Sequence, residues 1–236
     1  MPTFKEAENL PNLIPAVSEA LSRADLPHEI IVVDDDSADG TGQLIGELAE
    51  RFPVRLIVRK DQRGLASAVV HGFRQAEGAV LVCMDADGSH PPTSVPELVR
   101  AIVNDHAEIA LGSRFIVGGS TDDQWSLYRR WNSRLATWPA RLLTGVRDPM
   151  SGFFAISRER FEAAPATGPR ALNPIGYKIL LELIVKTNAR NCAEIPIHFR
   201  RRELGRSKLS LGVQAAYAWQ LVKLMVFRAS RPARVR

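Results

Sequence analysis

Leu10, Leu13, Ile14, Val17 and Leu21 recur at the spacing of one helix face, and the block Ile30-Ile31-Val32-Val33 behind them is an unbroken apolar run that ends in carboxylates. The alternation then repeats. Helical patterns from Leu44 to Phe52, from Leu65 to Ala76 and from Val95 to Val103 are followed by apolar strands from Val54 to Val58, from Ala79 to Met84 and from Glu108 to Gly112. Near-continuous Val/Ile/Leu strands alternating with helices predict right-handed βαβ units and a mostly parallel sheet covered on both faces, an α/β fold. Ligands of such sheets bind at the carboxyl ends of the strands. After Gly112 the regularity is lost, and Trp125, Tyr128, Trp131 and Trp138 stand among arginines ahead of Asp148-Pro149-Met150-Ser151-Gly152.

Length and composition narrow the picture. A chain of 236 residues that is 45% hydrophobic suits one α/β domain with a real core. Cys83 and Cys192 lie far apart, without metal spacing, and read as structural thiols of a reducing compartment. Met1-Pro2-Thr3-Phe4-Lys5-Glu6 has no apolar signal region, so no export is expected. Lys223 interrupts the best apolar run, Leu209 to Phe227, so no spanning helix is expected either. The charge of +5 is uneven: from Pro196 onward ten basic side chains face Glu203 alone. That end attracts a polyanion, whether nucleic acid, an anionic membrane surface or substrate phosphates, and charge does not choose among them.

The strand ends carry the chemistry. Asp34, Asp35 and Asp36 close one apolar strand, and three adjacent carboxylates repel one another unless cations or hydroxyl and amide donors receive them. A helix cap accounts for one such residue, Asp39; Asp35 is the candidate for binding a base, ribose or amide group. Asp85-Ala86-Asp87 follows a second apolar strand, with His90-Pro91-Pro92 turning the chain behind it. Paired hard oxygens there suit Mg²⁺ or Mn²⁺, which bridges diphosphate oxygens.

The segments Pro2-Thr3-Phe4-Lys5-Glu6, Val33-Asp34-Asp35-Asp36-Ser37-Ala38-Asp39-Gly40-Thr41, Met84-Asp85-Ala86-Asp87-Gly88-Ser89-His90-Pro91-Pro92, Gly112-Ser113-Arg114-Phe115 and Asp148-Pro149-Met150-Ser151-Gly152-Phe153-Phe154 resemble the family-2 glycosyltransferases. Within them the dolichol-phosphate (polyprenol-phosphate) mannosyltransferases are most similar. The resemblance implies a GT-A fold and inverting, metal-dependent transfer of mannose from GDP-mannose to a polyprenyl (dolichyl) phosphate. It implies that Pro2, Phe4, Glu6, Val33 and Asp35 hold the nucleoside, and that Asp85, Ala86, Asp87 and Ser89 serve the diphosphate, with Asp85, Asp87 and Ser89 on the metal. Lys178, Arg202 and Lys208 would clamp donor phosphates, with Asp85, Asp87, Arg202 and Lys208 as the catalytic set, and Arg114, Arg129 and Ser133 would take the lipid phosphate. In the family an apolar strand precedes the PTxxE motif; only Met1 stands there, so a truncated first strand is expected.

Residues 1–208 then form the catalytic domain, and residues 209–236 an amphipathic basic helix and tail. Leu209, Leu211, Val213, Tyr217, Leu221, Leu224 and Met225, with Lys223 and Arg228, suit either an interfacial helix or a core-packing one. The resemblance places the enzyme peripherally on the cytoplasmic face of a membrane and leaves room for a membrane-embedded partner subunit. Two rival readings carry other substrates or another class: transfer of glucose from UDP-glucose to the same lipid, and a non-catalytic membrane or nucleic-acid binding module. The ordered strand-end carboxylates argue against the second, so no nucleic-acid partner is expected.

Overall fold

The computed structural model describes residues 1–122, 137–164, 171–173, 178–200 and 211–230, with side chains of the last segment described from residue 217. In chain order the elements begin β1 (Pro2–Thr3), α1 (Leu10–Arg23), β2 (Ile30–Asp34), α2 (Thr41–Ala49), β3 (Val54–Val58) and α3 (Leu65–Gln75). They continue with β4 (Val80–Cys83), α4 (Val95–Val103), β5 (Ile109–Ser113), β6 (Ser120–Thr121) and a helical segment α5, residues 137–144. Then follow β7 (Phe154–Ser157), α6 (Arg158–Glu162), α7 (Ile179–Thr187), β8 (Cys192–Pro196), β9 (His198–Phe199) and α8 (Leu211–Ala229).

The expected βαβ units form, and β1, β2 and β3 pair in parallel in that order. The parallel pattern is broken at one place. In the second sheet, ordered β4-β7-β5-β8, strand β7 lies antiparallel between β4 and β5, while β8 runs parallel to β5. Phe154, Ala155 and Ile156 of β7 are fully buried, as a central strand covered on both faces requires. The first strand is short, as expected, but the Pro-Thr of the first motif is itself that strand: Pro2 stands opposite Val33 and Thr3 opposite Asp34.

Period-two alternation builds the layers. Ile30, Val32 and Ala110 face α1 and α4, where Leu10, Ile14 and Leu98 pack against them. Leu81, Ile109, Leu111, Phe154 and Ile156 face the other way, against Phe73 of α3 and Leu183 of α7. Each large side chain so buried contributes roughly 1.5–3 kcal/mol. α2 begins earlier than its apolar spacing suggests, because Gly40 at φ 89° turns the chain and Asp39 accepts from the Thr41 amide and hydroxyl.

α8 docks on the domain. Leu221 and Leu224 are buried with Leu143 of α5 and with Leu181 and Val185 of α7. Of the apolar stripe read in the sequence, Leu221 and Leu224 thus face protein, whereas Met225 faces outward with Trp219, Val222 and Val226.

Candidate active site

The first motif folds against the strand end of β2. Thr3 Oγ1 and Ser37 Oγ donate to Asp34 Oδ1 at 3.2 and 2.6 Å, and the Ser37 amide donates to Oδ2 at 2.7 Å. The Lys5 amide donates to Ser37 Oγ at 2.8 Å and the Ala7 amide to Asp39 Oδ2 at 3.2 Å. Burial acts to raise the Asp39 pKa, but the hydroxyl of Thr41 and the amides of Ala7 and Thr41 stabilise the anion and hold it below the usual value. Asp35 is buried against Arg59: Nε donates to Oδ1 at 2.8 Å, Nη2 donates to the same oxygen, and the Gly64 amide donates to Oδ2 at 2.7 Å. Arg59 also donates to Ser67 Oγ and the Gly64 carbonyl, so Asp35 meets a fully formed cationic partner.

Phe4, the expected nucleoside platform, lies beneath the Arg63 guanidinium at 5.3 Å and near Lys5 Nζ at 5.6 Å. Glu6 accepts from Asn9 Nδ2 at 2.7 Å. Val33 lies in the β1–β2 pair. Its side chain is buried beside Ala68, its amide donates to the Met1 carbonyl, and its carbonyl accepts from Thr3 Oγ1. It holds the strand pair because both backbone groups are already engaged.

At the end of β4 the chain turns through Asp85, Ala86 and Asp87, with Gly88 at φ 73°. The Ala86 methyl is buried in the core between the two carboxylates. Asp87 Oδ1 accepts from both the amide and the hydroxyl of Ser89, and the Ser89 carbonyl accepts from the Arg200 amide at 3.0 Å, so the turn is tied to the residue that follows β9. Beneath the turn lies His90, 2% exposed. Its Nδ1 accepts from the Asp85 amide at 3.3 Å, and its ring stacks on Phe153 at 5.1 Å and meets Phe199 edge-on at 5.4 Å. Burial pushes the imidazole pKa down against the nearby charges of Asp85, Asp87 and Asp148, with Arg114 adding to the fall. The ring thus stays neutral, as an Nδ1 acceptor must.

The same four charges locate the rest of the site around this ring. Arg114, at the end of β5, donates through Nε and Nη2 to the fully buried Asp148 at 2.7 and 2.8 Å, a two-pronged fork. Asp148 is held in turn by the loop geometry, since Glu194 of β8 accepts from the Arg147 and Asp148 amides. Lys178, the residue before α7, reaches the Met150 carbonyl at 3.5 Å and so joins the same segment. Arg129, Ser133, Arg202 and Lys208 lie outside the described residues.

Asp85 and Asp87 offer hard oxygens at one strand end, the donor set of Mg²⁺ or Mn²⁺. Among the described residues no third His, Cys, Asp or Glu completes a protein cage. A cation held by these two carboxylates, with the Ser89 hydroxyl, therefore keeps positions for oxygens of a phosphate ligand. A Cβ on Gly152 would stand 2.8 Å from Asp85 Oδ2, so glycine there leaves the carboxylate its room. The residues present fit the ion.

Three residues that matter here were not assigned from the sequence: Arg59, His90 and Asp148. Arg59 directly follows an apolar strand, the same signal that exposed Asp35 and Asp85, and Asp148 and His90 stood inside motifs already noted.

A doubly covered α/β sheet whose strand ends gather two carboxylates, forked arginines and lysine is the architecture of a nucleotide-sugar glycosyltransferase. The chain belongs to glycosyl transferase family 2, whose model matches residues 1–163. It is 44% identical over 97% of its length to a dolichol-phosphate mannosyltransferase of Mycosarcoma maydis, spanning 78% of that protein. It is 40% identical over 95% of its length to the Pyrococcus furiosus dolichol-phosphate mannosyltransferase, of which it spans 62%. With the polyprenol monophosphomannose synthase of Mycolicibacterium smegmatis the identity is 38%, covering 89% of this chain and 79% of that one. The fold is shared with mannosyl-3-phosphoglycerate synthase from Rubrobacter xylanophilus, at a TM-score of 0.70 and 17% identity, covering 100% of this chain and 75% of that one. It is shared also with Mycobacterium tuberculosis glucosyl-3-phosphoglycerate synthase solved with Mn²⁺ and UDP, at a TM-score of 0.63 and 20% identity, covering 99% of this chain and 79% of that one.

Proposed function

We propose that this chain transfers mannose from GDP-mannose to a polyprenyl (dolichyl) phosphate, with inversion, at the cytoplasmic face of a membrane. The observation that carries the reading is the convergence of the Asp85–Asp87 turn and the Arg114–Asp148 fork on one buried imidazole, in a chain whose relatives of 38–44% identity transfer to such lipids by name. Asp85, Asp87 and Ser89 would hold Mg²⁺ or Mn²⁺, which when bound neutralises charge on a departing diphosphate.

The protein's own residues do the rest by position and charge. Phe4, Glu6 and the Asp35–Arg59 pair shape the nucleoside end, with Arg63 above the Phe4 ring. Lys178, Arg202 and Lys208 supply the cations of the donor diphosphate, and Arg114, Arg129 and Ser133 those of the lipid phosphate. Asp148 presets the Arg114 fork, so less side-chain entropy is lost when an anion arrives. No general base is assigned, because a phosphate monoester with a second pKa near 6 is already largely dianionic at neutral pH. In-line attack from the face opposite the leaving group inverts the anomeric centre.

α8 would rest on the lipid surface through Trp219, Val222 and Val226, with Lys223 beside the Trp219 ring. Among the described residues no helix is long and apolar enough to cross a membrane. The test is incubation with labelled GDP-mannose, dolichyl phosphate and Mg²⁺ or Mn²⁺. A mannolipid that disappears with chelator is expected. A glucolipid from UDP-glucose, with no product from GDP-mannose, overturns the reading.

A further inference from the structure

Asp35, the side chain read in the sequence as a ligand for the base, has both oxygens engaged inside the protein: Oδ1 accepts from Arg59 and Oδ2 from the Gly64 amide. Arg59 is buried and commits its guanidinium to Asp35, Ser67 and Gly64. What this clamp holds is the loop 60–64. Gly64, at φ 134°, is fixed through its amide by Asp35 and through its carbonyl by Arg59, and Arg63 is the residue before it. Arg63 is exposed, pairs with no carboxylate among the described residues and rests over the Phe4 ring at 5.3 Å.

Phe4 is anchored to the same strand end. The Thr3 carbonyl accepts from the Asp35 amide at 3.1 Å, and Lys5, in the left-handed region at φ 61°, donates its amide to Ser37 Oγ at 2.8 Å. A half-buried aromatic ring and an exposed guanidinium are thus set together at the carboxyl end of β2, where a sheet of this kind takes its nucleotide. The cation covers the ring, so a base stacking there has to move it, and an exposed cation–π contact is worth roughly two- to fivefold in affinity. What the edge of the base offers the guanidinium decides whether that loss is recovered. Guanine presents two acceptors, O6 and N7, on one edge, adenine a donor beside N7, and uracil its O4 beside the N3–H donor. A guanidinium only donates, so guanine alone satisfies both prongs. A bidentate pair of this kind discriminates by roughly 5- to 150-fold.

We infer that Arg63 reads the O6/N7 edge of the donor's guanine, leaving the Phe4 ring when the base stacks on it, and so sets the preference for a guanosine over a uridine or adenosine diphosphate. The inference rests on the GDP-mannose reading and assigns its base selectivity to one side chain.

Binding of GDP, 7-deaza-GDP, UDP and ADP in the presence of Mg²⁺ is measured by titration calorimetry on the wild-type chain, Arg63→Ala and Arg63→Lys. Arg63 is exposed, so the variants should melt with the wild type. Arg63→Ala is expected to weaken GDP about tenfold or more while changing UDP and ADP less than about threefold. 7-Deaza-GDP, with a C–H in place of the N7 acceptor, should bind the wild type about fivefold or more weaker than GDP, and Arg63→Ala as well as GDP does. Arg63→Lys keeps the charge but not the fork, and should discriminate as poorly as the alanine variant. Equal weakening of all the diphosphates in Arg63→Ala, with rescue by lysine, would overturn the inference, because Arg63 would then act on the phosphates. So would an unchanged GDP preference in Arg63→Ala, an outcome that leaves the GDP-mannose reading standing. A wild-type chain that binds UDP or ADP at least as tightly as GDP overturns the GDP-mannose reading and the inference with it.

Discussion

Asp34, Asp35 and Asp36 are neighbours in the chain with three different fates. Asp34 closes a turn with Ser37, Asp35 is buried on Arg59, and Asp36 is exposed in a left-handed conformation at φ 56°. The repulsion that a run of carboxylates implies is thus relieved locally, by separate partners. Removing one partner tests this. Arg59→Ala should lower stability by about 3–5 kcal/mol, because it leaves a buried carboxylate without its cation; urea unfolding measures the loss, and an unchanged midpoint would mean that Asp35 is hydrated. Asp87→Ala is a different kind of change. It should cut transfer at least a hundredfold, about 3 kcal/mol of transition-state stabilisation, while costing stability only the hydrogen bonds of Ser89, about 1–3 kcal/mol. Retention of a tenth of the wild-type rate at saturating metal would remove Asp87 from the mechanism. Asp35, Asp85 and Asp87 were legible because they follow directly on the ends of apolar strands. Their partners were not: Arg59 is 24 residues beyond Asp35, and only the parallel pairing of β2 with β3 brings the two strand ends side by side. His90 read as part of a turn, and no pattern along the chain tells that its ring would lie between Phe153 and Phe199.

At the scale of elements, α1 to α4 and the strands β2 to β5 were legible from period alone, since each buries a continuous face, whereas α5, α6 and α7 were not read. β7 was not, because its place depends on the chain's return through a segment without periodicity, and an antiparallel strand buried on both faces carries the same apolar signature as a parallel one. α8 shows a related limit. It is apolar on two sides, so the sequence left core packing and interfacial seating equally open, and the structure assigns Leu221 and Leu224 to the core. The two faces should separate on mutation. Leu224→Ala removes a side chain that is 1% exposed and should cost about 2–5 kcal/mol in denaturant unfolding. Trp219→Ser combined with Val222→Ser should leave unfolding within about 0.5 kcal/mol of the parent, yet weaken sedimentation with anionic vesicles several-fold. If the double variant bound vesicles as well as the parent, α8 would not be the membrane-seated surface.

At the scale of the whole molecule, the joint between the two sheets gives folding a pH dependence that no local element carries. In the chain beginning at Met1 the α-amino group sits at that joint, and burial lowers its pKa below 8.0, opposed in part by the Asp85 carboxylate. The sign follows from proton counting. Above pH 8.0 the amine is neutral in both states and stability is complete; as pH falls below 8.0 the unfolded chain takes up a proton that the folded chain refuses. Stability then declines, by at most about 1.4 kcal/mol per pH unit, and levels off only once the folded amine is itself protonated. At 2–4 °C per kcal/mol for a chain of this size, the melting temperature should drop between pH 8.5 and pH 7 from this group alone, by no more than roughly 5 °C. Other groups titrate in the same interval, so the measurement is a difference between the free and the N-acetylated chain. Acetylation removes the charge yet keeps an N–H able to donate to the Ile31 carbonyl, and it should flatten the slope between pH 7 and 8.5 without lowering the plateau above it. Parallel curves for the two forms would mean that the amine is hydrated at the edge of β2 and that the two sheets meet there without an electrostatic cost.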